Sequence, residues 1–199
     1  MHPKGMIFLA TLRTKPFTMD RARWLIGLSQ GNDSTDKTLA SCAAILCCAG
    51  LAKMLADVLS YLAEYDAIES DTPVADTKYA SLLAQGLVTQ TMECPAMLSD
   101  GRYYIEPANG VFKTLKRMIH HRNNLAHIPD GTVRLRGDDP WIKVKEGILS
   151  ASIPIRPDPW DQIGIAEASR MIDATECYWR EVIDANVDMK EGRLLSKSR

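Results

Sequence analysis

Apolar residues recur at helical spacing along most of this chain, and one stretch switches to strict alternation. From Leu39 through Cys42, Leu46, Ala49, Leu55, Leu59 and Leu62 they follow steps of about three and four, which predicts a long helix over roughly Ser34 to Ile68. Asp33-Ser34-Thr35-Asp36 supplies an N-cap with an acid three residues on, and the segment Glu69 to Pro73 breaks the run. Lys78 to Val88, with Leu82, Leu83 and Leu87 on one side, predicts a shorter helix. The region around Pro95 and Ser99-Asp100-Gly101 is rich in turn formers, and Arg102 to Ile105 predicts a short strand. After Pro107 to Gly110 a third helix carries Val111, Leu115, Met118, Ile119 and Leu125, and ends near His127 because Pro129 disfavours helix at Ile128. From Thr132 the period becomes two: Val133 and Leu135 alternate with Arg134 and Arg136, and Ile142 and Val144 with Lys143 and Lys145, across a turn at Gly137 to Pro140. That predicts a hairpin with one cationic face. A last helix is expected from about Trp160 to Ala185, with Ile163, Ala166, Met171, Ala174, Tyr178 and Ile183 along it.

The pattern as a whole predicts a mainly α fold: a helical bundle of about four to five helices with a small β-hairpin insertion. All 199 residues form one domain in this reading, with a helical core over 34–185, the β insertion at 131–156 and a flexible, basic tail at 190–199. In the first 30 residues only Met19 to Leu28 suggests a further short helix.

Composition narrows the class. Apolar residues make up 46% and charged residues 25%, as in an ordinary folded domain. The five cysteines, Cys42, Cys47, Cys48, Cys94 and Cys177, are odd in number and form no C-x-x-C pair, so reduced and mostly buried thiols are expected. Met6 to Ala10 is too short for a signal-peptide core, and Lys53 and Asp57 cut short the apolar run from Leu39 to Ala52, so a cytoplasmic protein without a membrane span is expected. Net charge is −1, yet it is segregated: six acids and no Lys or Arg lie between Met54 and Thr77, while no acid lies between Pro107 and Pro129. Either two solvated faces complement one another, or the second stretch is a functional basic stripe.

The basic stretch holds the sharpest irregularity. Stepping along the third helix from Val111 places Arg122 where the period calls for an apolar residue, so the cation must snorkel, find a carboxylate or line a cleft. His120, Asn123 and His127 fall on a neighbouring face, and an imidazole at a helix C-terminus is favoured in its protonated form. A proton-exchanging group beside an obligate cation is what phosphodiester cleavage without metal requires. A metal site from His120, His121 and His127 lacks nearby acids, Cys47-Cys48 fits a core helix better than a nucleophile, and no phosphate-loop, zinc-protease or dinucleotide motif occurs, so no metal or cofactor is expected.

His121-Arg122-Asn123-Asn124-Leu125-Ala126-His127, at the end of an amphipathic helix that another long helix follows, resembles the R-N-x-x-x-H signature of the HEPN superfamily (higher eukaryotes and prokaryotes nucleotide-binding domain). The resemblance implies that His127 transfers protons, Arg122 binds phosphate and stabilises the transition state, and Asn123 positions them. It further implies a homodimer with two motifs facing one cleft, RNA as substrate, and settings such as toxin–antitoxin or antiviral defence with an antitoxin or other protein partner. Segment 131–156 departs from a plain helical bundle. Lys113, Lys116, Arg117, His120, His121, Arg134, Arg136, Lys143 and Lys145 are the candidate RNA contacts. Two other readings stay open: a catalytically inactive module that binds RNA, nucleotide or a protein through the same groove, and a structural interaction protein whose acidic segment, Asp57 to Asp76, docks a basic partner.

Overall fold

A computed structural model of the chain describes residues 17–126, 159–185 and 188–198. Among them the fold is mainly helical: α1 (Phe17–Gly27), α2 (Asp33–Ser70), α3 (Lys78–Leu83), α4 (Leu87–Leu98), β1 (Tyr103–Ile105), α5 (Gly110–Ala126), α6 (Ile165–Tyr178) and β2 (Leu195–Lys197). The hairpin expected at 131–156 lies outside the described residues, as does His127.

α2 is the central element. It starts one residue earlier than the capping pattern suggested, because the cap is Asn32, whose side chain accepts from the Thr35 amide at 3.3 Å. Asp33 and Asp36 in its first turn complement the helix dipole. At the far end Asp71 takes a left-handed conformation, φ 52°, and the Thr72 amide closes back on the Ala67 carbonyl at 3.1 Å. Small buried residues, Ala40, Ala43, Ala44, Cys47 and Cys48, line its first half, letting α1, α5 and α6 pack against it. By length and composition alone α2 is apolar enough to cross a membrane, with an 18-residue window of mean hydropathy 1.9. Within the described fold 56% of that window is buried against the rest of the protein.

Three expected boundaries moved. The helix expected over Lys78 to Val88 is two helices, α3 and α4, and the junction is closed by Gln90, whose side-chain amide donates to the Leu83 and Gln85 carbonyls at 2.9 and 2.7 Å. α4 carries Pro95 inside it, where turns were expected. Proline cannot donate to the Thr91 carbonyl one turn back, and the buried Tyr178 hydroxyl of α6 donates to that oxygen instead, at 3.1 Å. The last helix is also divided. A short turn at Pro159–Asp161 precedes α6, and Trp179–Asp184 continue it in π-helical form.

The C-terminal segment is fastened, contrary to the flexible tail expected over 190–199. β2 pairs antiparallel with β1 in the register Tyr103 to Lys197, Tyr104 to Ser196 and Ile105 to Leu195, and Leu194 and Leu195 are buried. Glu181 anchors it: its carboxylate accepts from the backbone amides of Arg193, Leu194 and Leu195 at 3.0, 2.9 and 3.3 Å. Asn109 joins this strap to α5. Its side-chain oxygen caps the Val111 and Phe112 amides, while its amide group donates to the Arg193 carbonyl at 2.9 Å.

Candidate functional site

α5 buries Phe112, Leu115, Met118 and Ile119 against α2, α4 and α6. Each residue turns a helix by about 100°, so Arg122 points along the same side as these four, as the periodicity required. Its side chain is nonetheless exposed. It resolves its position by snorkelling. The guanidinium donates to the Asn123 side-chain oxygen at 2.9 Å and, among the described residues, has no carboxylate partner. It lies close enough to α2 to oppose the upward push that burial exerts on the Cys48 thiol. Asn123 is thus in contact with Arg122.

The candidate RNA contacts divide into groups. Lys113, Lys116 and His120 are exposed on the face opposite Arg122. Arg117 is exposed but committed: its guanidinium holds Glu167 of α6 at 2.6 and 3.1 Å. Arg134, Arg136, Lys143 and Lys145 lie outside the described residues. His121, grouped with the surface cations in the sequence, is a correction: it is 3% exposed and belongs to the core.

The surroundings of His121 define its state. Nε2 lies 3.1 Å from the hydroxyl of Ser41 on α2, and that hydroxyl lies 3.2 Å from the Trp160 carbonyl. A carbonyl only accepts, so the single hydroxyl proton goes to Trp160 and His121 Nε2 must donate to Ser41. Nδ1 is then a bare lone pair, buried and without a partner among the described residues. Burial, helped by the Arg117 charge, pushes the His121 pKa below its ordinary 6.5. An unfolded His takes up a proton near that value while the buried one stays neutral, so unfolding binds a proton in the window just below it. Stability should therefore be full above pH 6.5 and fall as the pH drops through that window. Thermal melts of wild type and His121→Gln between pH 7.5 and 5 check this, since the slope should be smaller in the variant.

The sequence could not single out His121, because a doublet of histidines on a basic helix reads as surface. The signal was Ser41, a hydroxyl within an apolar helix. No family model, curated protein or solved structure matches the chain.

Proposed function

We propose that this protein is a metal-independent endoribonuclease of HEPN type, acting through Arg122, Asn123 and His127. The observation that carries the reading is Arg122 itself, a cation on the core-facing side of α5 that reaches solvent with Asn123 as its only hydrogen-bond partner among the described residues. A guanidinium held by a neutral amide keeps its charge available for phosphate, whereas Arg117, tied to Glu167, does not. The motif R-N-x-x-x-H then supplies His127 just past the end of α5.

In this mechanism the RNA 2′-hydroxyl attacks the adjacent phosphorus and the P–O5′ bond breaks. An imidazole takes the hydroxyl proton and an imidazolium protonates the leaving 5′-oxygen. Arg122 stabilises the charge that builds on the phosphorane oxygens. Products carry 2′,3′-cyclic phosphate and 5′-hydroxyl ends, and DNA resists because it lacks the nucleophile. Each chain supplies one Arg and one His, so a homodimer facing two motifs into one cleft completes the acid and base pair. Residues 107–129 offer no carboxylate to hold a divalent ion, which supports a reaction in excess EDTA. The test is cleavage of total RNA by the wild-type chain in EDTA, with end-group analysis. Inhibition by chelation, or products with 3′-hydroxyl ends, refutes it.

The exposed Lys113 and Lys116 are proposed to guide the substrate strand. Replacing both by Gln should reduce the slope of log affinity against log salt by about 1 to 2 units, measured by fluorescence anisotropy on single-stranded RNA. An unchanged slope assigns this face to solvent.

A further inference from the structure

Arg122 stands near the C-terminal end of the described part of α5. After Ile119 one residue of this helix is buried, and it is His121. Its ring donates to Ser41 of α2, and Ser41 in turn donates to the Trp160 carbonyl in the turn before α6. One imidazole thus joins the end of α5 to two other elements. One turn back, Arg117 fastens the same helix to Glu167 of α6. Both links resist rolling of α5 about its axis, the buried His121–Ser41 bond more than the exposed Arg117–Glu167 pair, and so bear on the azimuth of the next residue, Arg122.

We propose that His121, through its bond to Ser41, is a positioning residue for Arg122: it holds the last turn of α5 so that the guanidinium meets the phosphorane rather than the bulk phosphate backbone. The proposal rests on the ribonuclease reading above. The motif's neighbouring histidine therefore has a role distinct from that of His127. It touches no substrate and moves no proton, and its neutral, donor-at-Nε2 form is the one the position needs. Substrate binding draws on many phosphate contacts and is insensitive to the rotation of one side chain, whereas transition-state stabilisation depends on it.

The experiment compares wild type, His121→Gln, His121→Ala and Ser41→Ala as full-length proteins, with circular dichroism to establish folding. Gln places a side-chain N–H near the position of Nε2, so it keeps the donor to Ser41. Expected for His121→Ala and Ser41→Ala is a kcat about 10- to 100-fold lower on RNA in EDTA with KM within about twofold of wild type, and for His121→Gln recovery of most of the loss. Amide hydrogen exchange of residues 119–126 is followed in the same four proteins. It should speed up in the two alanine variants and return to the wild-type rate in His121→Gln. A change confined to KM, a glutamine variant as impaired as the alanine one, or wild-type exchange rates in both alanine variants overturns the proposal. If wild type cleaves no RNA, the ribonuclease reading fails, and the exchange rates alone decide whether His121 holds the end of α5. Should His121→Ala not fold, Ser41→Ala carries the same comparison.

Discussion

Replacing His127 by alanine is expected to slow RNA cleavage by about 10²- to 10⁴-fold, the range that a positioned acid–base group contributes. Arg122→Ala should lose about 10²- to 10³-fold, as when one preorganised donor to a developing oxyanion is removed. Arg122→Lys separates charge from geometry. Lysine retains the positive charge but not the planar fork that bonds Asn123 and would grip two phosphate oxygens, so its rate should fall between arginine and alanine. Arg122 is exposed, so neither substitution at that position opens a cavity, and the melting temperatures of both Arg122 variants should stay near wild type. The measurements are single-turnover rates on a defined RNA in excess EDTA, with thermal melts beside them. A His127→Ala protein that cuts like wild type removes His127 from the chemistry. A wild type that binds RNA but never cuts it favours the inactive binding module.

The largest effect on stability is expected at Glu181. Its carboxylate accepts three consecutive backbone amides, those of Arg193, Leu194 and Leu195, and so fastens the strap that carries β2. Glu181→Ala leaves those amides without their acceptor and should cost about 2 kcal/mol, since the site is partly open to water that can replace some of the bonds. For a chain of this size that is a fall in Tm of roughly 4–8 °C. Gly192→Ala should act through the same carboxylate. A Cβ on Gly192 would stand 2.6 Å from a Glu181 oxygen and displace it from the amides. The two substitutions should therefore be strongly non-additive, with the double variant little worse than Glu181→Ala alone. Differential scanning calorimetry of the two single variants and the double variant decides it, and additive losses refute the shared mechanism.

The helical class, the long central helix and the start of α5 were legible in the residues themselves. Each depends on local period and on caps that neighbouring residues supply: the spacing of Leu55, Leu59 and Leu62 on α2, and Asn109 before α5. The angular position of Arg122 was legible for the same reason, since side-chain direction along a helix follows from residue number.

What local pattern could not decide depended on partners distant in sequence. Pro95 reads as a helix breaker, and it is tolerated in α4 because the Tyr178 hydroxyl, 87 positions from Thr91, satisfies the carbonyl that proline abandons. The polar C-terminal segment reads as frayed, and it is ordered because Glu181 and β1 supply acceptors and donors that a neighbouring stretch could not. His120 and His121 are the same residue type one position apart on one basic helix. Only packing separates them: a rotation of about 100° turns one to solvent and the other toward Ser41 of α2 and the Trp160 carbonyl. The sequence by itself determined which residues share a face of a helix. The tertiary structure decided which faces are covered, because burial and hydrogen bonding are completed by whichever element lies opposite.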